Sequence, residues 1–173
     1  VKTGNREQIL HLGNGSDPED LDPHTTTGIT EFNIIKALIE GLVSVDPADL
    51  TPVPGAAESW DISDDGLTYT FYLRKSGVWS NGEPVTANDF VFSFQRILSP
   101  GLGSAYSYML FCLENGEKYY KEEITDFAMV GVKAIDDYTL RVRLGAPTPY
   151  FLSLIHHHSW FPVHPATVLK HGT

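Results

Sequence analysis

Three adjacent histidines, His156-His157-His158, are the residues of this sequence whose type best suits metal chemistry. Imidazole is a common transition-metal ligand, but successive helical side chains point about 100° apart, so three in a row cannot all reach one ion. On a strand, His156 and His158 would share a face. Because no acid or cysteine stands at a helpful spacing, we predict a polar, partly exposed segment without a bound metal.

The other residues that could do chemistry lack the partners that a catalytic site needs. Asp61, Asp64 and Asp65 could begin a calcium loop, but the remaining ligands of such a loop are missing, which favours a solvated turn. In Asp22-Pro23-His24 the proline holds the acid and the imidazole apart, so we expect no catalytic dyad there. Cys112 lies in an apolar stretch, where a thiol is normally inert. The sequence therefore predicts no catalytic residue, no metal site and no cofactor.

Composition narrows the classes of partner. The chain has 173 residues, with 12 Lys and Arg against 22 Asp and Glu, which gives a formal net charge of −10. Such an acidic chain has no basic stripe that could displace counterions from a phosphate backbone, so we expect no nucleic-acid partner. Hydrophobic residues make up 42% of the sequence, which is enough for a packed core. No apolar run reaches the roughly 20 residues that span a bilayer.

Apolar residues recur at helical spacing in two segments. The first helix is predicted to follow an N-cap at Thr30 and to bury one face, made of Ile34, Ile35, Leu38, Ile39 and Leu42. The second opens with a capping box over residues 86–89 and ends at Ser99-Pro100-Gly101. Its predicted buried face is made of Phe90, Val91, Phe94, Ile97 and Leu98. A short helix is predicted around residues 150–155, and a last helix from Pro165.

Alternating residues predict the strands. Residues 67–73 alternate between apolar and polar side chains, and residues 129–135 and 138–144 flank an Asp136-Asp137 turn, which predicts a hairpin. A short strand is also predicted over residues 9–12, while Pro52 and Pro54 are typical of a linker. Because strands and helices do not alternate as βαβ units, we predict the α+β class, with a small, mostly antiparallel sheet and packed helices.

Several segments also occur in the order that is found in one known family. They are Leu21-Asp22-Pro23-His24, Glu40-Gly41-Leu42, Pro54-Gly55-Ala56-Ala57-Glu58-Ser59-Trp60, Trp79-Ser80-Asn81-Gly82-Glu83-Pro84-Val85-Thr86-Ala87, Val132-Lys133-Ala134-Ile135-Asp136-Asp137 and Pro149-Tyr150-Phe151. This set resembles the N-terminal part of the peptide-type solute-binding proteins of ABC importers, which form family 5 of the bacterial extracellular solute-binding proteins. The resemblance is strongest to the oligopeptide-binding branch.

The resemblance implies a fragment of a two-lobe, class II periplasmic-binding-protein-like fold. Residues 1–40 would begin the base domain of the first lobe, and residues 41–165 would form an extra small α+β domain that is peculiar to the family. Residues 166–173 would begin the return to the first lobe, and the second lobe would be absent from this chain.

The resemblance further implies a non-enzymatic, substrate-binding component of an ABC importer. Such a protein captures oligopeptides by main-chain contacts in an interlobe cleft and delivers them to the permease subunits in the membrane. We expect a monomer, exported to the periplasm or the cell surface, with any signal or anchor outside this sequence. The histidine run motivates two alternatives: a carrier of a metal chelate, haem or sugar from the same family, and a His-based metal-dependent hydrolase.

The resemblance assigns ligand-binding roles to Thr27, Gly28, Ile29 and Tyr106. Gly28 would let a ligand approach closely, and Thr27 and Ile29 would offer main-chain partners. Tyr106 matches a tyrosine that the extra domain contributes to the cleft, and its ring and hydroxyl suit a ligand that is partly apolar and partly polar. On the residues alone, residues 27–29 could instead only lead into the first helix, and Tyr106 could belong to the core.

Overall fold

Six strands and five α-helices form within residues 13–172, which are the residues that the structure, a computed structural model, describes. The strands, in chain order, are β1 (Val43–Val45), β2 (Pro52–Pro54), β3 (Ala57–Ile62), β4 (Thr68–Leu73), β5 (Val132–Asp136) and β6 (Thr139–Arg143). The helices are α1 (Ile29–Leu38), α2 (Ala87–Leu98), α3 (Gly116–Tyr120), α4 (Phe151–Leu154) and α5 (Pro165–His171). The predicted strand over residues 9–12 lies outside the described residues.

A four-stranded antiparallel sheet, in the order β3-β4-β6-β5, carries the core. The alternation predicted for β4 is confirmed, because Tyr69, Phe71 and Leu73 are buried while their neighbours are less so. The predicted hairpin is confirmed as β5 and β6, with Leu140 and Val142 completely buried. Strand β3 was missed, because four of its six residues are exposed and its sequence carries little apolar alternation. The α+β class is therefore confirmed.

Helix α2 packs across this sheet, against β5 and β6. The predicted capping interaction forms, since the backbone N–H of Thr86 donates to the Asp89 carboxylate at 2.9 Å. Phe90 and Phe94 on the predicted apolar face are completely buried, and Phe94 packs edge-on against Trp160 with ring centroids 5.2 Å apart. Burying aromatic rings on both layers gives the domain most of its hydrophobic stabilisation.

Helix α1 is shorter than predicted, and its buried face is narrower. It ends at Leu38, with Ile39 in an extended conformation, and Leu38 is 68% exposed. Leu42 is buried, as predicted, but as part of an extended segment rather than of the helix. The Gly41 and Leu42 carbonyl oxygens accept from the Ala56 and Ala57 amides at 2.8 and 3.0 Å, and this pairing holds residues 41–42 in the extended segment that continues into β1.

The prediction of a linker at Pro52 and Pro54 is wrong, because these residues form strand β2. The strand pairs with β1 in an antiparallel ribbon, with Val43 opposite Pro54 and Val45 opposite Pro52. Proline has no N–H to donate, so it is tolerated in strands only at an edge. A two-stranded ribbon consists of edges alone, and it therefore accommodates both prolines.

The predicted helices near the end of the chain are confirmed as α4 and α5, and α5 begins at Pro165 as expected. Within residues 13–172, none of the helices has the length and apolar character required to span a bilayer.

Candidate ligand-binding site

Thr27 and Gly28 lead into helix α1, and Ile29 is its first residue. A turn precedes them, in which the amides of Thr25 and Thr26 donate to the Asp22 carbonyl oxygen at 3.3 and 3.2 Å. Gly28 is extended (φ −85°, ψ 154°), and the Ile29 side chain is 78% exposed. Among the described residues, no group accepts a hydrogen bond from the N–H of residues 27, 28 or 29. No group within residues 13–172 therefore competes with a ligand carbonyl oxygen for these donors.

Tyr106 lies beside this segment, although 79 residues separate it from Thr27. It precedes a 3-10 turn over Ser107–Leu110, and its hydroxyl donates to the Thr27 carbonyl oxygen at 3.4 Å. Its side chain is half-buried rather than part of the core. The structure thus brings together the two parts of the predicted site, while their role as ligand contacts stays a prediction.

An aromatic cluster surrounds Tyr106. We use this name for five side chains that pack in series: Phe32, Tyr106, Tyr108, His157 and His158. The ring of His157 meets Tyr106 edge-on at 4.8 Å between centroids and stacks on Phe32 at 6.0 Å. Sequence interpretation missed Phe32 and considered His157 only for metal. The position of Phe32, four residues after Gly28 on the same side of α1, was the available signal.

The histidines of this cluster are uncharged at neutral pH. Burial, together with the neighbouring His158 and His156, lowers the pKa of His157 to about 4, and burial also lowers the pKa of His158. Nδ1 of His157 accepts a hydrogen bond from the Ser159 amide at 3.2 Å, so its proton resides on Nε2. The cluster therefore offers ring faces and neutral hydrogen-bonding groups.

The prediction that the histidine run is polar and partly exposed is wrong for His158. This side chain is only 2% exposed, and its Nδ1–H donates to the Pro23 carbonyl oxygen at 2.7 Å. The contact with a distant carbonyl, which the local sequence does not reveal, draws the imidazole inward. Among the described residues, no three His, Cys, Asp or Glu side chains are grouped as a metal site requires.

Gly28 accommodates a neighbouring carboxylate. A Cβ at this position would come within 1.8 Å of Glu31 Oε2. The Glu31 side chain accepts hydrogen bonds from the Glu19 amide at 3.1 Å and from the Thr30 hydroxyl at 2.9 Å, and these bonds lower its pKa. A side chain at this position would displace the Glu31 carboxylate from its present place, and the predicted close approach of a ligand to Gly28 stays a prediction.

The expectation that proline keeps Asp22 and His24 apart is wrong in three dimensions. The His24 amide donates to Asp22 Oδ1 at 2.9 Å, and both side chains bind the guanidinium of Arg96. The sequence gives no sign of this, because Arg96 lies 72 residues beyond His24.

The remaining candidates match their sequence interpretation. Asp65 accepts hydrogen bonds from the Ser63 hydroxyl and the Leu67 amide, as in a solvated turn. Burial raises the pKa of the Cys112 thiol to about 11, which leaves it protonated and unreactive.

Comparison with known proteins identifies the family. Residues 51–172 match the family described as bacterial extracellular solute-binding proteins, family 5 Middle. The periplasmic oligopeptide-binding protein OppA of Escherichia coli (strain K12) is 46% identical over 167 residues, which are 96% of this chain and 30% of that protein. The dipeptide-binding protein DppE of Bacillus subtilis (strain 168) is 37% identical over 159 residues, which are 91% of this chain and 28% of that protein.

Solved structures agree with the sequence matches. A crystal structure of Haemophilus influenzae OppA in complex with the peptide RPPGFSPFR superimposes with a TM-score of 0.86 and 42% identity, over 92% of this chain and 31% of that one. The chain thus spans about 30% of the length of the relatives that it matches, and its α+β fold is part of theirs. This chain belongs to family 5 of the bacterial extracellular solute-binding proteins.

Proposed function

We propose that the complete protein is the substrate-binding component of an ABC importer, that it captures oligopeptides, and that it has no enzymatic activity. Relatives named as oligopeptide-binding and dipeptide-binding proteins support this proposal, as does a relative whose structure contains a bound nine-residue peptide. The described part of the chain supplies one wall of the peptide cleft.

The observation that carries the proposal is that Thr27 and Ile29 are exposed, that Gly28 between them is half-buried, and that the N–H groups of all three have no acceptor among the described residues. A binder that accepts many sequences must hold what all peptides share, namely their backbone amides and carbonyl groups. A peptide carbonyl oxygen can accept from these donors without any demand on the side chains of the peptide. Thr27, Gly28 and Ile29 therefore act through their backbone.

The aromatic cluster supplies the second part of the wall. Tyr106 and His157 present ring faces next to residues 27–29, and His157 is neutral at physiological pH. Neutral, partly apolar groups neither select nor repel a charged side chain strongly, which suits a cleft that admits varied peptides. Tyr106 is the residue that links both parts, because its hydroxyl reaches the Thr27 carbonyl oxygen.

The domains, the location and the partners that we propose for the complete protein are those of the family. Residues 1–40 begin the base of the first lobe, residues 41–165 form the extra domain, and residues 166–173 return to the first lobe. The protein acts outside the cytoplasmic membrane, as a monomer, and hands its peptide to the permease subunits of the importer. Relatives named as periplasmic oligopeptide-binding and murein peptide-binding proteins support this location.

The test is calorimetry of the complete protein with mixed peptides of two to five residues. We expect binding, and we expect Tyr106→Ala to weaken it about tenfold, since an aromatic contact and a hydroxyl together contribute about 1–2 kcal/mol. Tyr150→Ala is the matched control, because Tyr150 is 66% exposed next to α4 and away from the cluster.

Absence of heat with every peptide would overturn the proposal. So would binding of deoxycholate alone, a ligand suggested by the name of a 37% identical Escherichia coli relative, "probable deoxycholate-binding periplasmic protein YgiS".

A further inference from the structure

A buried arginine on α2 holds the turn that leads into residues 27–29. The Arg96 side chain is 7% exposed and donates to Asp22 through two contacts, Nη1 to Oδ1 at 3.0 Å and Nη2 to Oδ2 at 2.5 Å. Nη1 also donates to Nδ1 of His24 at 2.9 Å. A single guanidinium thus bonds to the residues on both sides of Pro23, and its planar fork of donors matches the two oxygens of the Asp22 carboxylate.

The partners of His24 fix its tautomer. Its Nδ1 accepts from Arg96, so its proton resides on Nε2, which donates to the Phe161 carbonyl oxygen at 3.0 Å. The Pro23 carbonyl oxygen in turn accepts from His158 at 2.7 Å. The turn at residues 22–24 is therefore held from α2 on one side and from residues 158–161 on the other.

We call Arg96 and its contacts with Asp22 and His24 the anchor, and it lies next to both parts of the candidate site. The Thr25 and Thr26 amides donate to the Asp22 carbonyl oxygen. The N–H groups of residues 27–29 therefore follow directly after this hydrogen-bonded turn. His158, which bonds to Pro23, belongs to the aromatic cluster with Tyr106. Two further bonds join residues 27–29 to residues of the cluster: the Phe32 amide on α1 donates to the Gly28 carbonyl oxygen at 3.1 Å, and the Tyr106 hydroxyl donates to the Thr27 carbonyl oxygen at 3.4 Å.

We propose that Arg96 is the positioning residue of the peptide site: through Asp22 and His24 it sets the distance between the exposed N–H groups of residues 27–29 and the aromatic cluster. Arg96 touches no peptide in this role, and the inference rests on the proposed function. If its loss leaves the binding arrangement populated only about one-tenth of the time, the apparent Kd rises about tenfold.

The test compares Arg96→Lys with Ser93→Ala in the complete protein. Lysine keeps the positive charge but has a single nitrogen on a shorter side chain, so it cannot reproduce the two-nitrogen contact with Asp22 while also bonding to His24 as Arg96 does. Ser93 is the matched control, because it is completely buried one turn earlier on α2, its hydroxyl accepts from the Val163 amide at 2.8 Å and donates to the Asp89 carbonyl oxygen, and neither bond involves residues 22–24. We expect Arg96→Lys to raise the peptide Kd about tenfold. Ser93→Ala should leave the Kd within about twofold of wild type, even if it lowers the melting temperature as much as Arg96→Lys does.

Two measurements on the ligand-free protein test the anchor itself. Hydrogen exchange at the Thr25 and Thr26 amides should accelerate in Arg96→Lys and not in Ser93→Ala, and the ¹⁵N spectrum of His24 should lose its single Nε2–H tautomer. An unchanged Kd in Arg96→Lys, or an equal loss of affinity in Ser93→Ala, would overturn the inference. If wild-type protein binds no peptide, the proposed function fails by itself. In that case, equal hydrogen exchange at the Thr25 and Thr26 amides in both variants would contradict the role of Arg96 in holding the turn. Faster exchange in Arg96→Lys alone would support that role.

Discussion

Acid should destabilise this protein through His24 at pH values where its carboxylates are still ionised. His24 is 1% exposed, and burial lowers its pKa from 6.5 to about 4. The unfolded chain therefore takes up this proton at a higher pH than the folded chain does. The contribution to stability is fully present above pH 6.5 and is lost as the pH falls towards 4.

The size of the loss follows from the two pKa values. A fall from 6.5 to about 4 corresponds to a loss of about 3 kcal/mol at pH 4, of which about 1 kcal/mol is already lost near pH 5.5. His157, with its pKa also lowered to about 4, acts in the same direction. Burial opposes ionisation of Asp22, but hydrogen bonds from Arg96 and from the His24 amide hold its pKa below 3.8, so its contribution is lost only at lower pH.

The assay is the free energy of unfolding of the complete protein from about pH 7.5 to about pH 4.5, for wild type and His24→Gln. Glutamine cannot titrate, so the stability of wild type relative to this variant should fall by about 2 kcal/mol across the range. His171→Gln is the control, because His171 is an exposed imidazole at the end of α5. A relative stability that stays constant with pH, or a folded-state NMR titration of His24 near 6.5, would refute the reasoning.

Two predictions concern half-buried positions elsewhere in the chain, Cys112 and Gly131. Cys112, with its pKa raised to about 11, should react with a thiol reagent at about pH 8 only after denaturation; rapid labelling of the native protein, followed by absorbance, would contradict this. Gly131→Ala places a Cβ 2.2 Å from the Arg143 carbonyl oxygen and should lower the melting temperature by several degrees. Gly13→Ala, where no atom of the described residues lies within 4 Å of the new Cβ, should leave it unchanged.

Local patterns predicted the parts of the fold that local forces determine. Strand β4, the β5–β6 hairpin and helix α2 each follow from periodicity and from turn or capping residues within a few positions. Strand β2 and the end of α1 did not follow, because each depends on a partner elsewhere. Pro52 becomes part of a strand only because Val45 lies opposite it, and α1 ends early because residue 42 pairs with residue 57.

The candidate site was likewise predicted only in part. The resemblance predicted residues 27–29 and Tyr106, and the structure brings Thr27 and Tyr106 within 3.4 Å. The sequence of α2 alone could not predict that Arg96 belongs to the site. In that sequence, Arg96 is simply a polar residue in the last turn of an amphipathic helix. Its two partners lie 74 and 72 residues away, on either side of a proline that suggested separation.

The histidines can be explained as hydrogen-bonding groups rather than as metal ligands. A metal ion takes the lone pair of a neutral ring nitrogen. In His24 that lone pair accepts from Arg96 while the other nitrogen donates to Phe161, and in His157 it accepts from the Ser159 amide. A neutral imidazole offers one donor and one acceptor, which is what bridging between two backbone segments requires. Chelation at these lone pairs would have to break the bond from Arg96 to His24 and the bond from the Ser159 amide to His157, and so would disturb the peptide wall that we propose the Arg96 bond supports.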